Sequence, residues 1–295
     1  MVRSEITEVA GRFEDKRRTK IGGAGGEETE FVAEDFIVDE EVTVILSRDG
    51  WLKRVREVKD LSATRLREGD AILSVVRAST KDPIAIFSNF GSAYILRIND
   101  VPASTGYGEP VQKLFNFRDG ERVVAAYVVT GSGPSVLPAG GQIIGVTKHG
   151  FGFRLNADPH REVSTRAGRR YAKLEEGDEV VGVLPFVRKQ AICIVTAKAH
   201  HLMCMADEAA ELANPGKGVT MIKVEDDDAV MGFGMGDPYG DELLIAELDN
   251  GKKVALGPGH DEITSRGGKG HVLSRKSRVV HVLLPESVQD PKLVN

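Results

Sequence analysis

The chain has 295 residues, 41% of them hydrophobic, which is enough for a sizeable core, and carries 39 basic against 44 acidic side chains for a net charge of −5. No apolar run approaches the ~18 residues that span a bilayer, and the first residues lack the apolar centre of a secretory signal. Cys193 and Cys204 are the only cysteines, which argues against a disulfide-stapled secreted scaffold and for a reducing, cytoplasmic setting.

In chain order, residues 5–18 are predicted helical, because Ile6, Val9 and Phe13 follow helical spacing and Lys16, Arg17 and Arg18 fall near the C-terminal end. Gly22, Gly23, Gly25 and Gly26 around Ala24 read as a flexible joint. Residues 27–41 hold eight acids (Glu27, Glu28, Glu30, Glu34, Asp35, Asp39, Glu40 and Glu41) and no lysine or arginine. Without those eight, 39 basic residues face 36 acidic ones, so a basic remainder is segregated from an acidic block.

From Phe36 onward the text reads as short strands in a grammar used five times. Strands at 42–47, 84–88, 143–147, 191–196 and 243–248 run into turns that end at Gly50, Gly91, Gly150, Ala199 and Gly251. Returning strands follow at 51–55, 93–98, 151–155, 201–205 and 252–256. Each unit closes on an apolar run, at 71–76, 123–129, 180–184, 229–235 and 279–284. Asp49-Gly50 and Asn250-Gly251 carry the signal of a two-residue type I′ hairpin. A period of about 40–50 residues with several strands per unit marks a propeller-like array, which presents a surface rather than a catalytic triad. The alternative is a β-sandwich. Blades are expected near residues 36–80, 81–130, 140–187, 188–236 and 240–286, and residues 207–213 read as a helical turn.

The sharpest local signal is Ser265-Arg266-Gly267-Gly268-Lys269-Gly270, joined by Arg275, Lys276 and Arg278, with no acid between 263 and 278. Glycines let the backbone approach a phosphate, and exposed amides with Arg and Lys complete an anion site. Corresponding stretches are Arg166, Arg169, Arg170 and Lys173 in the third unit, Lys217 between glycines in the fourth, and Gly106-Tyr107-Gly108 in the second. A ring of basic loops suits a long, curved polyanion such as duplex DNA. The expected contacts are Arg266, Gly267, Gly268, Lys269 and Gly270, then Arg166, Arg169, Arg170 and Lys173, then Lys53, Arg54, Lys113, Lys217 and Lys252.

Three other clusters compete for a role. Glu225-Asp226-Asp227-Asp228 could hold magnesium but reads better as a solvated turn. Gly232-Phe233-Gly234-Met235-Gly236 lacks the strand–helix setting of a nucleotide fingerprint, and there is no P-loop. If Lys198-Ala199 formed a two-residue turn, Cys193 and Cys204 would face each other across the hairpin. That spacing is loose for zinc, so buried free thiols are expected and no metal.

Phe13 to Thr19, Asp49 to Arg54, Ile98 to Pro102 and Pro110 to Leu114 together resemble the C-terminal domain of the A subunit of bacterial type IIA topoisomerases, gyrase and topoisomerase IV, over almost the whole chain. The resemblance implies an all-β pinwheel of about five four-stranded blades, with residues 1–26 as the helix and linker leaving a catalytic core. It implies duplex DNA as ligand, and for partners a catalytic core and an ATPase B subunit, with ATP and Mg on those other parts rather than here. The cleaving tyrosine of the family lies in that core, so Arg170-Tyr171 is not expected to act as a nucleophile. Gyrase keeps a Gln-(Arg/Lys)-Arg-Gly-Gly-(Arg/Lys)-Gly box in its first blade, whereas residues 54–66 here are shortened and contain no glycine. The nearest match is the fifth repeat, which makes the chain look more like topoisomerase IV. A monomeric domain and the absence of a membrane partner complete the expectation, with a protein-binding propeller and gyrase-like wrapping as alternatives.

Overall fold

The computed structural model describes residues 2–13, 37–58, 60–130 and 135–284. It falls into two units, Met1–Phe36 and Ile37–Asn295. In the first, a helix spans Val2–Arg12 with none of its residues buried; the expected helical residues 14–18, the glycine joint and the acidic block up to Phe36 lie outside the described residues.

The second unit holds five sheets, each built on a hairpin plus the closing strand of its own repeat. The first comprises Glu41–Ser47, Trp51–Val55 and Ile72–Ser79, with Glu109–Pro110 of the next repeat added at its edge. The second joins Pro83–Ser88, Ser92–Arg97 and Val123–Val128 to Arg169–Arg170. The third joins Gln142–Thr147, Phe151–Asn156 and Val180–Phe186 to Val219–Thr220 and, in parallel, to Ala210–Leu212. The fourth joins Ala191–Thr196, His200–Met205 and Val230–Gly236 to His271–Val272. The fifth, Leu244–Leu248, Lys253–Leu256 and Val279–Leu283, has three strands and receives no donated strand among the described residues. The array is therefore all-β and five-bladed, with strand exchange, though only three sheets have the four strands expected. The helical turn expected at residues 207–213 is confined to the 3₁₀ turn Ala206–Glu208, and Ala210–Leu212 is a strand.

Every hairpin turns the same way. Gly50, Gly91, Gly150, Ala199 and Gly251 each donate an N–H to the residue three back, and each has a positive φ of 60–84°. Asp49 and Asn250 have no positive φ. The loops are thus three-residue turns with a left-handed last residue, not type I′ turns. In the first four blades the Ser or Thr opening the turn also accepts the N–H of the residue after it, as Ser47, Ser88, Thr147 and Thr196.

The extra loop residue shifts each register by one. Cys193 consequently pairs with Met203 and Ile192 with Cys204. The two thiols end on opposite faces of the fourth sheet, in different cores. Burial raises both, Cys204 to about 12.

Four apolar cores lie between consecutive blades, from the first–second to the fourth–fifth. None of the four combines the fifth blade with the first. Leu46, Phe87, Val146 and Val195 face forward into these cores, and at the corresponding place the fifth blade carries Glu247.

Candidate nucleic-acid interface

The donated strands place the basic loops. Each docks by a backbone N–H on the carbonyl of the preceding hairpin's turn: Val111 on Gly50, Tyr171 on Gly91, Met221 on Gly150 and Leu273 on Ala199. A glycine with positive φ precedes each strand, at Gly108, Gly168, Gly218 and Gly270. A Cβ on any of them would lie within 3 Å of a neighbouring backbone oxygen, so only glycine lets the loop turn this close to the receiving strand.

Two residues beyond each docking point stands an exposed cation: Lys113, Lys173, Lys223 and Arg275. The first repeat supplies Arg65, five residues before Asp70, just as Lys173 and Lys223 precede Asp178 and Asp228. Those three acids are themselves equivalent, since each accepts a turn N–H, from Asp49, His149 and Lys198 respectively. The fold thus presents one cation per repeat at a common register. Among the described residues Lys173, Lys223 and Arg275 have no carboxylate within ion-pair distance, while Lys113 meets Glu109 at 2.9 Å. Sequence reading picked Lys113 and Lys173 and noted Arg275 in the basic stretch without counting it among the contacts, but passed over Arg65 and Lys223; counting from the docking residue, instead of searching for glycine boxes, brings all five into one row.

The other expected contacts separate into exposed and engaged groups. Arg170, Lys173 and Lys252 are exposed. Arg169 is half-buried beside His160, whose imidazole is held down to about 4 by burial and by that guanidinium. Arg166 is exposed but lays its guanidinium on the carbonyls of Lys113 and Leu114. Arg266 donates to the carbonyl of Thr220 at 2.9 Å, and its own N–H meets Glu208. Lys269 is paired with Glu225 at 3.0 Å and Lys217 with Glu175 at 2.6 Å. Gly267, Gly268 and Gly270 form the loop around Lys269, with Gly270 shaped by its strand-docking role and Gly267 at φ +82°.

Lys53 and Arg54 serve the interior. Lys53 is 3% exposed, at the register place held by Tyr94, Phe153, Leu202 and Val254 in the other blades. Its ammonium donates to the carbonyls of Arg65 at 2.9 Å and Gly106 at 2.7 Å. Burial, with Arg65 nearby, pushes its pKa below the ordinary lysine value. Arg54 points its Nε at Val101 O, 2.9 Å, as buried Arg154 does at Ala209 O. Lys53→Met is expected to leave duplex affinity and its salt dependence unchanged; a salt slope lower by about one would show that Lys53 reaches a phosphate after all.

The acidic turn is occupied by the protein's own cations. Asp227 pairs with Lys198, Glu225 with Lys269, and Asp228 accepts the N–H groups of Lys198 and Ala229. Residues 232–236 lie within the strand Val230–Gly236, where the closing apolar run of the fourth repeat was expected. Tyr171 is buried and hydrogen-bonded, at 0% exposure. No helix among the described residues is long and apolar enough to cross a membrane.

Comparison with known proteins matches the same repeats. The family described as DNA gyrase C-terminal domain, beta-propeller, covers residues 82–130, 141–186 and 210–234. The DNA gyrase A subunit of Aminobacterium colombiense is 29% identical over 94% of this chain and 34% of its own length, and that of Staphylococcus epidermidis 25% identical over 92% and 31%. The chain therefore spans about one third of these relatives. Among solved structures, the C-terminal domain of DNA topoisomerase IV superposes with a TM-score of 0.72 at 17% identity, over 84% of this chain and 79% of its own. The DNA gyrase A C-terminal domain gives 0.59 at 17% identity, over 83% of each. The chain thus resembles the DNA gyrase C-terminal domain family over three of its repeats and shares its fold with the C-terminal domains of topoisomerase IV and gyrase A.

Proposed function

We propose that this chain is the non-catalytic DNA-binding module of a type IIA topoisomerase A subunit. It holds and bends duplex DNA along its blades so that a segment reaches the strand-passage gate. The chemistry belongs to other parts of that cytoplasmic enzyme, as do ATP, Mg and the ATPase B subunit. The observation that carries this reading is the register of Arg65, Lys113, Lys173, Lys223 and Arg275, one exposed cation per repeat. A repeating row of lysine and arginine on successive blades suits a regular polyanion read through its phosphates and not its bases.

The test is the salt dependence of duplex binding. In Lys173→Ala/Lys223→Ala/Arg275→Ala, affinity is expected to fall alike for unrelated sequences, and the salt slope to drop by about three, near 0.9 per lost phosphate contact. An unchanged slope, or salt-independent binding by the unaltered chain, would sink the proposal.

Within this reading the role is topoisomerase IV-like, because residues 54–66 of the first repeat, which contain no glycine, offer no box to hold a chiral wrap there. Gyrase-like wrapping is the second reading, favoured by relatives that are gyrase A subunits. Ligating nicked circles on the purified chain separates the two, since only a chiral wrap shifts the linking number of the products.

A further inference from the structure

Two of the basic loops are held shut by the chain itself, at equivalent places one repeat apart. Lys217 and Lys269 each stand immediately before a strand-docking glycine, Gly218 and Gly270. Glu175 and Glu225 each stand four residues beyond the docking residue of the preceding repeat, Tyr171 and Met221. Strand exchange brings the members together as Lys217–Glu175 at 2.6 Å and Lys269–Glu225 at 3.0 Å. Lys269 holds the Glu225 carboxyl below its usual range, chiefly through the hydrogen bond.

The earlier repeats lose both members at once. The corresponding residues are Phe115 and Ala167 between the second and third repeats, and Arg67 and Tyr107 between the first and second; Arg67 and Tyr107 line one cleft with Asp49 and Glu68. An acid opposite the loop thus appears where the loop carries a lysine and is gone where it does not. Each acid also lies two residues from a cation of the common row, Lys173 or Lys223.

We propose that Glu175 and Glu225 are built-in competitors of phosphate, latches that occupy Lys217 and Lys269 until a duplex displaces them; this rests on the DNA-binding reading above. The first two seams carry no latch, so DNA engages them first, and the third and fourth yield by exchanging a carboxylate for a phosphate. The latches are built to open. All four side chains are substantially exposed, and exposed ion pairs are weak enough for a dense row of phosphates to replace. The two differ in grip. Lys217 also lies 3.8 Å over the Phe151 ring, whereas Lys269 has no ring partner among the described residues, so the Lys269 latch yields first.

The experiment titrates a labelled linear duplex with the whole chain over a range of salt, comparing Glu175→Gln/Glu225→Gln with Glu176→Gln/Asp226→Asn. The second pair removes the same charge from exposed neighbours that hold no lysine. The latch variant is expected to bind about tenfold tighter than the control pair and to gain up to about two in salt slope. In a Lys217→Ala/Lys269→Ala background that advantage disappears. Equal affinities for the two glutamine pairs, or an advantage that survives loss of the lysines, overturns the latch while leaving DNA binding intact. An unaltered chain without salt-dependent duplex binding overturns the parent reading and this one with it.

Discussion

Gly218→Ala is expected to destabilise the domain by about 3–4 kcal/mol and to lower its melting temperature by roughly 6–15 °C. Two costs add. Gly218 has φ +84°, and a Cβ in the left-handed region costs about 1–2 kcal/mol. That Cβ would also stand 2.2 Å from Gly152 O and 2.7 Å from its carbonyl carbon. Those are backbone atoms of the strand onto which Val219–Thr220 docks, so relief requires drawing the donated strand away from its neighbour. Gly251→Ala is the control: φ is +78° but nothing lies within 4 Å of the new atom. Its cost is the conformational one alone, about 1–2 kcal/mol. Thermal unfolding of the two variants side by side decides the matter. Equal shifts would mean that Gly218 is required only for its dihedral angle and that close docking of the exchanged strand contributes nothing.

That glycine illustrates which parts of the architecture were readable from the sequence. Four of the five hairpins end in glycine because the last loop position is left-handed, and this regular punctuation exposed the repeat. Ala199 occupies the same position at φ +60°, so the backbone, and not the residue type, defines the turn. The type of turn was misread because Asp49-Gly50 and Asn250-Gly251 satisfy a shorter loop equally well. One residue of difference moved Cys193 and Cys204 to opposite faces. Lys53 was misread for a related reason: taken alone it is one more basic residue near a turn, but aligned with Tyr94, Phe153 and Leu202 it sits at a core position. The latch pairs were illegible because their members are 42 and 44 residues apart and meet only through strand exchange. No local pattern encodes which repeat receives whose strand.

Tyr171→Ala is expected to cost about 4 kcal/mol, while Tyr171→Phe costs only about 1 kcal/mol. The ring is fully buried where the third repeat is pinned against the second, 5.1 Å from Phe87 and 6.2 Å from Phe153 by ring centroids. Truncation to alanine leaves a cavity in that core, and the site cannot collapse without shifting the docking of Tyr171 N–H and Ala172 N–H on Gly91 O. The phenol itself donates to Ser88 O at 2.7 Å, so phenylalanine keeps the packing and loses one hydrogen bond. Burial, with the Glu121 charge nearby, holds the phenol far above the usual tyrosine pKa, and a buried, protonated oxygen facing a carbonyl cannot attack a phosphodiester. The Arg170-Tyr171 pair therefore divides its work by strand alternation: the tyrosine anchors the donated strand, and the anchor fixes Arg170 and Lys173 at the surface. Chemical denaturation measures the two stabilities. Duplex binding by Tyr171→Phe, read well below its melting point, is expected to keep the full salt slope. A weakened slope there, without loss of fold, would give the phenol a direct part in DNA contact that its burial denies.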